Sequence, residues 1–151
     1  EICVRGPQVM KGYLRNPEET SNTIRNGWLH SGDLGRFDDE GYLYIVDRKK
    51  DMIIRGGENI YPIEIEEVLY QMPEILEAAV VGIPHEVYGE VPKAFVVLKE
   101  GEALTETDIL NYMKTQLAKY KVPVEVQFIA SLPRNASGKV LKHTLRPTQN
   151  V

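Results

Sequence analysis

The stretch that most constrains the fold is AAVVGIPHEVYGEVPKAFVVL, Ala78 to Leu98. Its two apolar runs, AAVVGI and AFVVL, are short and rich in valine. A polar, turn-rich linker, PHEVYGEVPK, joins them. Apolar runs of this length bounded by turn residues read as strands. On either side the apolar period changes. After Pro62, which suits a first helical position, Ile65, Val68, Leu69 and Met72 recur at helical spacing, with Glu64, Glu66 and Glu67 near the positive end. Thr105 and Asp108 match a capping box, with Asp where Glu is commoner. Ile109, Met113 and Leu117, with Leu110 beside them, then give the buried face of a helix running to about Ala118. VEVQFI alternates as a strand with Glu125 and Gln127 outward. DMIIRGGENIYP carries a short strand into a glycine turn. The order from Arg48 onward is strand, helix, strand, strand, helix, strand, then a loop around Lys139 and a last helical turn. This predicts an α+β domain: a short mixed β-sheet and hairpin flanked by helices.

The first 47 residues have a different texture. ICV opens as a short strand that Gly6-Pro7 breaks. NPEETSNTIRNG reads as a helix with Asn16 as N-cap, Pro17 at the first position and Gly27 as its stop. WLHSGDLGRF and YLYIVD, separated by DDEG, read as a β-hairpin. The boundary is expected between Asp47 and Lys50, giving a β-rich segment, 1–47, and a second domain, 48–151. The chain starts in strand-like sequence without methionine, so it is expected to be part of something longer.

Composition removes several function classes. A formal charge of -4 argues against non-specific nucleic-acid binding. No apolar run approaches a membrane span and no signal peptide is visible. Cys3 is the only cysteine, so no internal disulfide forms, which fits a reducing, cytoplasmic setting. His30, His85 and His143 lack metal-ligand spacing, so no metal site is expected.

Four short motifs carry candidate chemistry, each with two readings. SLPRNASGKVLK superficially matches a P-loop, but Pro133 stands where the first glycine belongs and offers no N–H. Val140 follows Lys139 where a hydroxyl would ligate magnesium. What remains is a flexible surface loop with a solvated lysine, or a lysine carried on a mobile loop into a site elsewhere. In HSGDLG, Asp33 can accept two hydrogen bonds from a vicinal diol such as a ribose, or can bond its own turn. DRKKD is a solvated linker, or a hinge with an arginine for ribose or phosphate. Gly56 and Gly57 form a tight turn, or permit close approach of a ligand.

Taken in order, GWLHSGDLG, GYLYIVDRKKDMIIRGGENIYPIEIEEVL, AAVVGIPHEVYGEVPKAFVVL and LPRNASGKVLK resemble the adenylate-forming, AMP-binding superfamily, and most of all its fatty-acyl or related acyl-CoA synthetases. The resemblance covers essentially the whole chain. It implies that residues 1–47 end the large AMP-binding domain, including the ribose-binding loop, and that 48–151 is the small mobile C-terminal domain, hinged near 47–50. It implies that Asp33 and Arg48 contact the ATP ribose, and that Asp47 is the hinge residue. Gly56 and Gly57 would line the pantetheine channel, Asn59 would sit near the adenylate, and Lys139 would be the adenylation lysine. Luciferases and aryl-CoA ligases often carry lysine where Ile54 stands, which weighs against those branches.

The implied chemistry suits these residue types. A carboxylic acid, here expected to be a fatty acid, and ATP give an acyl-adenylate, and the acyl group then passes to CoA. A lysine ammonium lowers the repulsion between two reacting anions. ATP and CoA are co-substrates, and Mg2+ is expected with ATP but bound outside this chain. The phosphate loop and acyl pocket of the family lie upstream, in the missing N-terminal domain of the same protein. The chain alone is therefore expected to be catalytically silent. Alternatives are an adenylation domain that loads a carrier protein, which the ending soon after LRP disfavours, and a non-catalytic binding or assembly module.

Overall fold

The computed structural model describes residues 1–147, so the last four residues of the expected 48–151 domain lie outside the described residues. The chain divides into two compact units, Glu1–Lys50 and Asp51 onward.

The first unit contains β1 (Cys3–Val4), α1 (Pro17–Thr23), β2 (Ile24–Arg25), β3 (Trp28–His30), β4 (Asp33–Phe37) and β5 (Leu43–Arg48). β1 and β2 each pair antiparallel with β3, and β4 pairs antiparallel with β5. The Asn16 side chain accepts the Glu19 N–H at 3.0 Å and Pro17 opens α1, as the sequence predicts. The helix stops at Thr23, however, and not at Gly27. Asn26 and Gly27, with φ of 53° and 78°, form the two-residue turn between β2 and β3. Asn-Gly is a strong hairpin signal because both turn residues need positive φ, and here that requirement prevails over helix termination. The run WLHSGDLGRF is likewise two strands, parted at Ser31-Gly32. The Asp38 carboxylate closes the expected DDEG turn by accepting N–H groups from Glu40 and Tyr42.

The second unit contains β6 (Ile53–Arg55), β7 (Glu58–Ile60), α2 (Pro62–Tyr70), β8 (Ile75–His85), β9 (Gly89–Leu98), α3 (Glu106–Gln116), β10 (Glu125–Phe128) and a 3-10 turn at Lys142–Thr144. β8 and β9 form a long antiparallel hairpin, β10 runs parallel to β9, and the β6–β7 hairpin joins β9 where Arg55 meets Gly89. The sheet is mixed and the fold is α+β, as the sequence predicts. The strands are longer than their apolar runs. Most of PHEVYGEVPK is strand, with Pro84 opposite Glu90 and Pro92 opposite Gly82, and only residues 86–88 turn. Both Thr105 and Asp108 complete the capping box of α3, which ends at Gln116 rather than near Ala118.

Helix burial follows the sequence pattern. Ile65 and Leu69 of α2 and Ile109 and Met113 of α3 are fully buried with Ile53, Ile60, Val80 and Val96. Each such side chain contributes about 1.5–3 kcal/mol. The opposite face of the sheet is also covered. Ala79, Val81, Phe95 and Val97 pack with Leu132, Val140 and Leu145 of the C-terminal segment. Burial on both faces explains why AAVV is continuously apolar and does not alternate. Among the described residues, no helix is long and apolar enough to cross a membrane.

Candidate functional site

In the first unit the β4–β5 ladder brings two expected nucleotide residues together. Asp33 opens β4, Arg48 closes β5, and they are cross-strand partners. Arg48 Nε lies 3.3 Å from Asp33 Oδ1. Ser31 performs the local turn chemistry: its hydroxyl donates to the Ile2 carbonyl at 2.8 Å and accepts the Asp33 N–H at 3.0 Å. The Asp33 carboxylate is thus directed to an arginine rather than to its own turn. Both side chains are partly exposed, so a ligand can reach them, and the ion pair alone adds little stability. Asp47 is buried, and its Oδ1 accepts the Arg48 N–H at 2.6 Å. A cavity of about 570 Å³ is lined in part by Ser31, Gly32, Arg48, Lys49 and Lys50.

His30 faces Glu1 and Cys3 because β1 pairs with β3. Its Nδ1 lies 3.0 Å from Glu1 Oε2 and 3.4 Å from Cys3 Sγ. The Glu1 carboxyl is held down at about 2, chiefly by that His30 bond, against a partial desolvation effect and with help from Lys49. Glu1, Cys3 and His30 bring possible ligand atoms within 4.8 Å of one another, but Lys49 and Arg25 also share the Glu1 carboxylate. A thiol and an imidazole do not suit Mg2+, which takes oxygen ligands.

In the second unit Gly56 and Gly57 are the two-residue turn of the β6–β7 hairpin, with φ of 57° and 91°. The turn is docked on the β8–β9 turn. The Gly56 N–H donates to the Tyr88 carbonyl at 2.8 Å, and the Ile54 N–H donates to Glu90 Oε2 at 3.2 Å. The Arg55 guanidinium stacks 4.9 Å from the Tyr88 ring centroid. A Cβ on Gly57 would meet nothing within 4 Å, so its outer side is open. Asn59 is exposed on β7 opposite Ile54, on the side away from the buried Ile53 and Ile60.

Lys139 is exposed, but its loop is not slack. Arg134 and Val140 bridge across it, and Asn135 and Lys139 are joined by N–H to carbonyl at 3.0 Å. Asn135 Oδ1 accepts the N–H groups of Ser137 and Lys139 and the Ser137 hydroxyl. The Gly138 N–H goes to the Asn135 carbonyl. The N–H groups of Asn135, Ser137, Gly138 and Lys139 are thus bonded within the turn, and not directed outward as a P-loop's amides are. This closed hairpin replaces the reading as a flexible surface loop. Sequence reasoning missed what holds it: Arg134 reaches Glu77 of β8, and Lys142 reaches Glu66 of α2 at 2.7 Å. Neither pair leaves a local signal, since Arg134 and Glu77 alone are 57 residues apart and Lys142 and Glu66 are farther still.

Residues 64–139 match the AMP-binding enzyme C-terminal domain family. The chain belongs to this family. It is 55% identical over 146 residues to a 2-succinylbenzoate–CoA ligase of Bacillus cereus, covering 97% of this chain and 30% of the relative. The o-succinylbenzoate–CoA synthetase of Bacillus subtilis, solved with its acyl-adenylate intermediate, superposes with a TM-score of 0.89 at 44% identity. That match covers 99% of this chain and 30% of the other. A fatty acyl-CoA synthetase of Mycobacterium tuberculosis matches at 48% identity and a TM-score of 0.68, over 95% of this chain and 28% of its own. The chain thus spans about three-tenths of the length of these family members.

Proposed function

We propose that this chain is the hinge and small-domain part of an ATP-dependent acid–CoA ligase. In the first half-reaction the acid's carboxylate oxygen attacks the α-phosphorus of ATP, forming acyl-AMP and releasing pyrophosphate. In the second, the CoA thiol loses its proton and attacks the acyl carbon, forming the thioester and releasing AMP. Asp33 accepts the ribose hydroxyls and Arg48 orients it. Lys139 offsets the negative charge where carboxylate and α-phosphate meet. Asn59 lies near the adenylate, and the open Gly56-Gly57 turn lines the thiol's path. Mg2+ accompanies ATP, but the described residues do not offer it an oxygen-rich site.

One observation carries the reading beyond family membership: within the second unit, the two chemical elements are tied to opposite ends of one hairpin. The glycine turn is bonded to Tyr88, in the β8–β9 turn, whereas the lysine loop is tied to Glu77, eight residues back along β8 from His85. At strand rise that is roughly 26 Å. Anchors so far apart along one strand suit two successive orientations about a hinge at Asp47–Lys50, one for each half-reaction.

Identity to the 2-succinylbenzoate ligases favours an aromatic dicarboxylate as the acid, despite Ile54. A fatty acid is the second reading, favoured by the 48% identity to the mycobacterial synthetase. The test is pyrophosphate exchange by the enzyme carrying this chain, with 2-succinylbenzoate and a series of fatty acids. In that enzyme Lys139→Ala lowers acyl-adenylate formation by about 100-fold or more. Thioester formation from supplied acyl-adenylate largely survives. Absence of exchange with every acid, or equal loss of both half-reactions, overturns the proposal.

A further inference from the structure

We propose that Arg134, anchored by Glu77, is a positioning residue for Lys139. The inference rests on Lys139 being the adenylation lysine. A lysine side chain is long and flexible, so the fold controls where its ammonium reaches only through the backbone that presents it. Here that backbone is held from three directions. Arg134 Nη1 donates to the Gly138 carbonyl, immediately before Lys139, at 2.6 Å. Its Nη2 donates to the Glu77 carboxylate on β8. Leu132 and Val140, on the two legs of the turn, pack against Ala79, Val81, Phe95 and Val97. Beyond the turn, Lys142 pairs with Glu66, which also accepts the Val80 N–H at 2.7 Å.

Arg134 joins the tip of the turn directly to the sheet. Its planar fork spans a carbonyl and a carboxylate at once, which an ammonium cannot match in geometry. Glu77 is aimed by a register shift in β8: Ile75 faces Leu98 while Glu77 faces Val97, so Leu76 is an extra residue that redirects the strand. Neither Arg134 nor Glu77 is part of the apolar core, and both side chains are partly exposed. Their loss therefore leaves the fold standing while freeing the Gly138–Lys139 peptide. The device is a rigid finger on the small domain, so large movement is left to the hinge.

Two measurements test this. On the 151-residue chain, Arg134→Ala accelerates amide hydrogen exchange at Gly138 and Lys139 and leaves β8, β9 and α3 unchanged. In the enzyme carrying the chain, the same variant lowers kcat for acyl-adenylate formation on the order of 10- to 100-fold, as misplacement of a catalytic group does. Thioester formation from supplied acyl-adenylate stays within about twofold of wild type, because a half-reaction that does not use Lys139 is not subject to that misplacement. Arg134→Lys recovers only part of the loss, and Glu77→Ala, which leaves the Arg134 contact to the Gly138 carbonyl in place, costs less than Arg134→Ala. Unchanged exchange at Gly138 and Lys139 in Arg134→Ala, or equal loss in both half-reactions, overturns the positioning role. If wild-type enzyme forms no acyl-adenylate, the ligase reading fails instead, and the exchange measurement alone decides whether Arg134 holds the turn.

Discussion

Asp108 ties one helix end to pH. Its carboxylate accepts the Thr105 hydroxyl at 2.6 Å and the Thr105 N–H at 2.9 Å, while the Thr105 hydroxyl accepts the Asp108 N–H. The Thr105 hydroxyl, and then its N–H, hold the Asp108 carboxyl below its ordinary value of 3.8, with desolvation opposing weakly. A group whose folded value is depressed stabilises the fold fully above its unfolded value. That contribution fades as pH falls through the folded value. Asp108→Asn is therefore expected to lower the thermal midpoint at pH 7, with the gap from wild type closing below about pH 4. Melts followed by circular dichroism from pH 7 to 2.5 check this, and a constant gap across that range would count against the assignment. This cap was legible in the sequence because its partners are three residues apart. The Asp33–Arg48 contact was not: the roles came from resemblance, while the contact depends on a ladder whose register shifts between Leu34 and Gly35. No local pattern in HSGDLG or DRKKD encodes that shift.

At the scale of elements, the glycine hairpin separates backbone requirement from side-chain space. Both turn residues lie at positive φ, matching the right-handed twist of the strands they join. Because a Cβ at Gly57 meets no neighbour, Gly57→Ala isolates the cost of left-handed backbone, about 1–2 kcal/mol. Gly57→Asn costs less, since Asn adopts such angles more readily. Urea titrations followed by helical circular dichroism, which reports chiefly on α2 and α3, give the comparison; equal stability of wild type and Gly57→Ala would show that the turn does not demand this conformation. The same hairpin shows what sequence conveys about elements. Gly56-Gly57 and Pro62 announced a turn and a helix start by local chemistry. Docking of the turn on Tyr88 and Glu90 did not show, since it depends on how β6 meets β9. For a similar reason β8 and β9 looked shorter than they are: Pro84 and Pro92 read as linker residues, yet the hairpin continues past both. The second apolar face was hidden because Leu132 and Val140 cover it from a loop that local sequence leaves without a partner.

At the scale of the molecule, apolar burial is unequal between the units. Among the described residues, every buried hydrophobic residue lies at Ile53 or later. The first unit instead exposes Leu14 (92%), Phe37 (69%), Ile45 (68%) and Tyr42 (64%). Small sheets of two and three strands are marginal without an apolar face packed on something else. The second unit has both faces of its sheet covered and two helices contributing fully buried side chains. Local stability should follow that difference, because protection from exchange tracks buried apolar contact. In the 151-residue chain, amides of β8, β9 and α3 are therefore expected to exchange slowest. Those of β1 to β5 should exchange at least about tenfold faster, the ratio given by a difference of only about 1.4 kcal/mol in opening free energy. Brief trypsin treatment adds a covalent readout, since Arg48, Lys49 and Lys50 sit next to the division at Asp51 and both lysines are exposed. The expected product is a fragment beginning within residues 49–51 that keeps its helical circular dichroism, because its apolar clusters are made wholly from residues beyond the cut. Equal protection of β4–β5 and β8–β9, or loss of helical signal on cleavage there, would mean that the second unit draws its stability from the first, and the hinge at Asp47–Lys50 would then join parts that cannot move independently.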